Sequence, residues 1–206
     1  MESVVQGAEA ENGMQSENNI AFKEWAVVVA ALSQGHQTLI LRKGGIQEQG
    51  GEFRPEHGEF WLFPTQFHQQ ADALNPSAAP LLSLAQTMQP PHGQIHLSAY
   101  AVVQDVVHIT DERTLFQLAG THVLSEQTVS DRFHYRRPGL YVLITRMFVG
   151  PSPHVLVDSP HFAGCRTWVD LPESLSTNDL QPVLNDAKFG SQRTELLRRL
   201  TSGRVA

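Results

Sequence analysis

AFKEWAVVVAALSQGHQTLILRKGG, residues 21–45, decides the fold. Phe22, Trp25, Ala26, Val29 and Leu32 recur at helical spacing, which predicts an amphipathic helix over 21–33. The Val27-Val28-Val29 run competes with that reading, because consecutive β-branched side chains suit a strand. Gly35 is placed to stop the helix. TLILR at 38–42 reads as a short buried strand, and Gly44-Gly45 as the turn after it.

Further along, EFWLFPT (59–65), IHLSAYAVVQDVVHI (95–109), GLYVLITRMFV (139–149), HVLVD (154–158) and TWVDL (167–171) read as strands. Residues 47–58 are polar and glycine-rich and read as a loop. Short helices are expected near 66–74, 80–88, 111–119 and 126–133, with a closing helix from about 186 to 201. Strands do not alternate regularly with long helices, which argues against a doubly wound parallel sheet. The pattern predicts an α+β fold with a mainly antiparallel, barrel-like sheet and flanking helices.

The chain's 206 residues suffice for one domain with a real core. Three parts are expected: an acidic disordered tail over 1–20, a single α+β domain over 21–201, and a proline-rich insertion within it at about 66–95. Cys165 is the only cysteine, which excludes an intrachain disulfide and a cysteine-rich zinc site. No apolar run approaches membrane-spanning length and no secretory signal opens the chain, so a cytoplasmic location is expected.

The formal net charge is −6, but Glu2, Glu9, Glu11 and Glu17 contribute −4 of it within residues 1–20. Twelve of the fifteen basic residues are arginine, the better fork for phosphate and the better partner for a ring. They concentrate in 131–146 and 186–206, each +3 by count. The second stretch suits a solvated helix face. Within the first, Arg136 and Arg137 stand at the entrance of a strand, where loops present functional groups.

Several constellations offer chemistry. Arg42 and Lys43 precede Gly44-Gly45, a turn able to present cations and backbone N–H groups to a phosphate. Trp61 and Phe63 supply rings that stack on bases, unless they fill the core. Thr65 and His68 follow the same strand and suit ligand binding or acid–base work. Glu48, Glu52, Glu56 and Glu59 crowd one loop and would suit a divalent ion, although the Glu-x-Lys pair of restriction-type nucleases is lacking, since position 41 is leucine. His154, Asp158 and His161 have metal-ligand chemistry but straddle a strand and a proline turn. Cys165 beside Gly164 reads as a small buried residue rather than a nucleophile.

The words AFKEWAVVVAAL, GHQTLILRKGGI, EFWLFPTQFHQ, FHYRRPGLYVL, GCRTWVDL and PVLNDAKF, running from about 21 to 200, resemble an uncharacterised bacterial family, domain of unknown function 1802. That family has no established activity and implies no catalytic residue. At the level of fold, GHQTLILRKGG after a helix, AYAVVQDVVHITDE and GLYVLITRMFVGPSP are similar to the ASCH branch of the PUA-like superfamily. This second resemblance implies a small β-barrel, many of whose relatives bind RNA or modified nucleic acid.

The resulting expectation is a nucleic-acid or nucleotide-binding PUA-like module needing no cofactor or metal. Its partner would be RNA, modified nucleic acid or a nucleotide, and its ligand-binding residues Arg42, Lys43, Trp61, Thr65, His68, Arg136 and Arg137 would converge on one cleft. Two alternatives stand beside it. One is a metal-assisted phosphodiesterase or other hydrolase using the 48–59 carboxylates or His68. The other is a protein-interaction subunit that docks through the apolar 69–95 segment.

Overall fold

The computed structural model describes residues 5–6, 14–43, 46–49, 52–66, 71–164 and 166–202. Its strands are β1 (Val5–Gln6), β2 (Glu17–Trp25), β3 (Leu39–Arg42), β4 (Ile46–Gln49), β5 (Glu52–Pro55), β6 (Glu59–Thr65), β7 (Gln94–Ile109), β8 (Leu140–Val157), β9 (Trp168–Ser176) and β10 (Gln181–Pro182). Its helices are α1 (Ala26–Ser33), α2 (Ala79–Thr87), α3 (Glu112–Phe116), α4 (Glu126–His134) and α5 (Asp186–Ser202), with 3-10 turns at Ala71–Ala73, Pro76–Ala78 and Pro160–Phe162. One sheet runs β10-β8-β7-β6-β2-β9, with β1 added to β7 and β3 to β8. Every pairing in it is antiparallel except β2 with β6. The fold is α+β, as expected.

β6 shows why these strands form. EFWLFPT is apolar almost throughout because both faces of the strand are covered. Phe60 and Leu62 enter one core cluster, with α1, β3 and β8, while Trp61 and Phe63 enter a second, with Leu97, Tyr100, Phe162 and Val169. β7 joins both clusters. A register shift between Leu97 and Ala99 lets Leu97 and Tyr100 share the second cluster despite their odd spacing.

Four expectations change. Residues 21–25, read as the first half of a helix, end strand β2 instead. Phe22 and Ala21 face different clusters, so the strand is buried on both sides and its period of two disappears. The Val27–Val29 run belongs to α1, whose residues from Ala26 to Leu32 are all buried. A helix enclosed on every side has no polar stripe to identify it.

Parts of the stretch expected as a disordered tail are strand, Val5–Gln6 pairing with β7 as β1. Glu17–Ile20 lie in β2, and Asn18 is buried at 6% exposure. Its side-chain amide donates to the Tyr100 hydroxyl at 2.9 Å and the Glu59 carbonyl at 3.1 Å, and its carbonyl accepts from the Trp61 indole at 3.1 Å. Polar composition here is compatible with burial because each group is hydrogen-bonded.

The 47–58 segment, read as a loop, carries the β4–β5 hairpin, with Glu48 opposite Phe53. Finally, 139–149 and 154–158 form one strand, β8, rather than two. Its register with β7 passes from Ala99↔Val149 to Leu97↔His154, so residues 150–153 bulge opposite Ser98. Pro151 and Pro153 sit in that bulge, where no ladder hydrogen bond is required of them.

Two ties fasten the helices. α1 ends in a Schellman motif: the Gly35 N–H donates to the Leu32 carbonyl at 3.1 Å and the His36 N–H to the Ala31 carbonyl at 2.9 Å. On α5, Phe189, Leu196 and Leu200 are buried, and Arg193 forks the buried Asp105 carboxylate of β7 at 2.6 and 2.8 Å. Among the described residues no helix is long and apolar enough to cross a membrane.

Two stability predictions arise here. Gly35 has φ +69°, and a Cβ there would stand 2.7 Å from the Leu184 side chain. Gly35→Ala should lose about 1–3 kcal/mol in urea unfolding, from left-handed strain and overpacking together. His122 is held by burial at a pKa of about 4, with a Leu124 backbone hydrogen bond opposing and the Arg132 charge adding to the depression. Below the ordinary histidine pKa the unfolded chain takes up a proton that the folded chain refuses. Stability should therefore fall by up to about 3 kcal/mol between pH ~6.5 and ~4, and a pH series of melts on His122→Asn should show a shallower slope in that window.

Candidate ligand-binding cleft

The C-terminal ends of the parallel pair β2 and β6 open side by side, with Glu24 opposite Pro64 and Trp25 opposite Thr65. There they border a cleft of about 1230 Å³. Its other walls are the end of β3 at Arg42, the proline bulge of β8, the start of β7, the 160–164 turn, and Met88 after α2. The volume exceeds the roughly 300–1,000 Å³ typical of small-ligand pockets.

The floor is charged. Glu24 has a side chain only 1% exposed. One of its oxygens accepts from the Trp25 N–H at 2.8 Å, and the other, Oε2, lies 3.6 Å from Arg42 Nη1 without a hydrogen bond. Arg42 lies over the Phe22 ring at 4.6 Å and donates to Thr167 Oγ1 at 2.9 Å, while its Nε has no partner. Arg132 approaches from α4. It lies over the Trp25 ring at 4.6 Å and donates to the Leu41 carbonyl at 3.1 Å. Burial holds its pKa below the ordinary arginine value; Glu24 opposes that shift, and the Arg42 charge adds to it. Arg42 thus pairs with the buried carboxylate, and the Arg132 charge is close enough to be influenced by both.

The rim adds polar groups. Lys23 Nζ donates to the carbonyls of Phe162 and Gly164, tying the 160–164 turn to β2. Thr65 Oγ1 donates to the Glu24 carbonyl at 3.1 Å. Lys23, Arg42 and Arg166 line the cleft against Glu24 and Asp158, so the lining has a positive balance. Trp25, Phe63 and Phe162 give it aromatic surface. This arrangement accommodates a planar ring against the wall and an anionic group at the floor.

The residues singled out from sequence separate into distinct places. Arg42 and Thr65 lie in the cleft. Trp61 is fully buried in the second core cluster, so no base can stack on it; Phe63, two residues on, reaches the cleft. Lys43 points away from the cleft. Its ammonium donates to the carbonyls of Phe133 at 2.7 Å, Gly139 at 2.6 Å and Arg137, and so has no N–H left for phosphate. Arg136 and Arg137 are exposed on that same turn and do not line the cleft. His68 lies outside the described residues, as does Cys165.

The carboxylate and histidine sets do not assemble. Glu59 accepts from the Tyr100 hydroxyl at 2.9 Å, Glu56 is exposed, and the side chains of Glu48 and Glu52 lie outside the described ones. His154 bonds the Ser176 carbonyl at 3.2 Å and His161 the Asp170 carbonyl at 2.8 Å. Among the described residues no three His, Cys, Asp or Glu side chains are grouped to hold a metal ion. In the 69–95 segment, Leu81, Leu82 and Leu84 of α2 pack against the core, and Met88 is left 56% exposed.

Glu24, Trp25 and Arg132 were not found from sequence. The available signal was Lys23-Glu24 set between Phe22 and Trp25, a charged pair inside an apolar run. Reading that run as the start of an amphipathic helix concealed it.

Residues 21–195 match the family described as "Domain of unknown function (DUF1802)". No curated protein matches the chain. Among solved structures, the ASCH protein from Zymomonas mobilis is 15% identical with a TM-score of 0.42, covering 86% of this chain and 92% of its own. A point mutant of that ASCH protein gives 15% identity and a TM-score of 0.44, over 75% of this chain and 90% of the other. Since that match covers well over half of the chain, the chain belongs to the DUF1802 family.

Proposed function

We propose that the cleft binds a nucleotide unit, either free or as part of RNA or modified nucleic acid. The observation that carries this reading is the pairing of a cationic floor, Arg42, with a half-buried aromatic wall, Trp25, in one cleft large enough for a nucleotide. The base lies against the wall and the phosphate takes the Arg42 guanidinium, whose side chain is partly exposed where it lines the cleft. Glu24 is a positioning residue: it fixes Arg42 through their ion pair and stays out of contact with the phosphate.

Trp25 makes the test direct. Nucleoside 5′-monophosphates and short single-stranded RNA should quench its fluorescence on titration, and Trp25→Phe should lose that response. Arg42→Met should weaken binding by about 1.5–3 kcal/mol, a Kd rise of roughly tenfold to a hundredfold. Melting curves on the same samples check that the variant remains folded, since Glu24 loses its ion-pair partner. Wild-type protein that binds no nucleotide at millimolar concentration overturns the proposal, as does a folded Arg42→Met protein that binds as wild type does.

A further inference from the structure

The turn between α4 and β8 holds two cations unlike the others. Every other arginine whose side chain is described donates to an acceptor within the chain: Arg42 to Thr167, Arg113 to Asp111, Arg132 to Leu41, Arg146 to Asp186, Arg166 to His161, Arg193 to Asp105, and Arg198 and Arg199 to Glu195. The guanidinium groups of Arg136 and Arg137 donate to no acceptor among the described residues. Tyr135 beside them is 56% exposed, and Arg136 lies 5.1 Å from the centre of its ring.

The turn is also held rigidly. Arg136 has φ +63° and is the only described non-glycine residue with a positive φ. The Arg137 N–H donates to the Tyr135 carbonyl at 2.8 Å, and the Gly139 N–H to the Phe133 carbonyl at 3.2 Å. The Lys43 ammonium fills the carbonyl nest inside the turn. A backbone fixed from within therefore presents a ring and two unengaged guanidinium groups to solvent.

This turn adjoins the cleft. Arg42 faces the cleft floor and Lys43, the next residue, anchors the turn; Arg132 on α4 lies over Trp25 of the cleft wall. We infer that the turn is a second contact for a single-stranded nucleic acid, gripping nucleotides that flank the one in the cleft. The inference rests on the function proposed above and extends it: the ligand is a strand rather than a free nucleotide. Tyr135 offers a stacking face that any base can use, and Arg136 and Arg137 offer forks for successive phosphates. A purely acidic protein partner would use the arginines but not the ring, and the position beside the cleft favours the strand.

The test compares nucleoside monophosphates with a labelled twelve-nucleotide single-stranded RNA of mixed sequence, using the full chain. Wild-type protein should bind the RNA at least tenfold tighter than the monophosphates. Arg136→Gln with Arg137→Gln should weaken RNA binding by roughly tenfold to a hundredfold and lower the salt slope by about 1.4, the contribution of two phosphates. Monophosphate binding should stay within about twofold. Arg136→Gly relieves the left-handed strain, so it should raise the melting temperature while lowering RNA affinity, a pairing that a merely structural arginine would not give.

RNA bound no tighter than monophosphate, or RNA affinity unchanged in the double variant, overturns this inference and leaves the cleft reading intact. Loss of poly-glutamate binding in the double variant with RNA binding unchanged assigns the turn to an acidic protein and likewise overturns it. Wild-type protein that binds neither probe overturns both.

Discussion

The structure around the cleft depends on one buried carboxylate. Glu24 stands at the end of β2 with its side chain 1% exposed, and an isolated carboxylate there would cost several kcal/mol. Its surroundings offset that cost with groups drawn from separate elements: Arg42 from β3, Arg132 from α4 and the Trp25 N–H at the entry to α1. Its backbone carbonyl takes the Thr65 hydroxyl of β6. Four elements are thereby fixed around one point, and that point is the cleft floor. Arg42, which lines the cleft beside Glu24, brings positive charge to a place partly shielded from water, where it acts on an anionic ligand.

The way the sheet is built opens the space above that floor. β7 and β8 pair along most of their length, yet residues 150–153 bulge opposite Ser98. The bulge carries two prolines, neither of which can donate to the ladder, and both line the cleft. The sequence feature that looked like a strand boundary is therefore the feature that widens the site.

Legibility followed burial. Strands covered on one face, or bounded by glycine and proline, were readable: 38–42, 59–65 and 95–109 agree with β3, β6 and β7 to within a residue. The β2–α1 boundary was not. Phe22, Trp25, Ala26, Val29 and Leu32 keep helical spacing across a junction where the chain is strand until Trp25 and helix from Ala26. Once both elements are enclosed, apolar residues are required at nearly every position, and no period survives to separate them. The site shows the same limit. Arg42 and Thr65 were legible because strand ends face openings. Lys43 was not separable from Arg42, since Arg42 ends β3 at the cleft and Lys43, just past the strand, lies under a turn, and only the carbonyls waiting there show that its donors are occupied.

Composition misleads for a related reason. A net charge of −6 argues against a phosphate partner, and a preference for arginine over lysine argues for one. Neither bears on binding until each guanidinium is traced to its acceptor, because most of them hold the fold together: Arg193 fastens α5, Arg146 meets Asp186, and Arg132 stacks on the cleft wall. What distinguishes Arg136 is that it contributes no such tie and yet occupies a left-handed position that disfavours any side chain by about 1–2 kcal/mol. Glycine would take that conformation freely. Its guanidinium group meets only the neighbouring Tyr135 ring among the described residues, so what arginine brings to this strained position is a cation held beside an exposed ring.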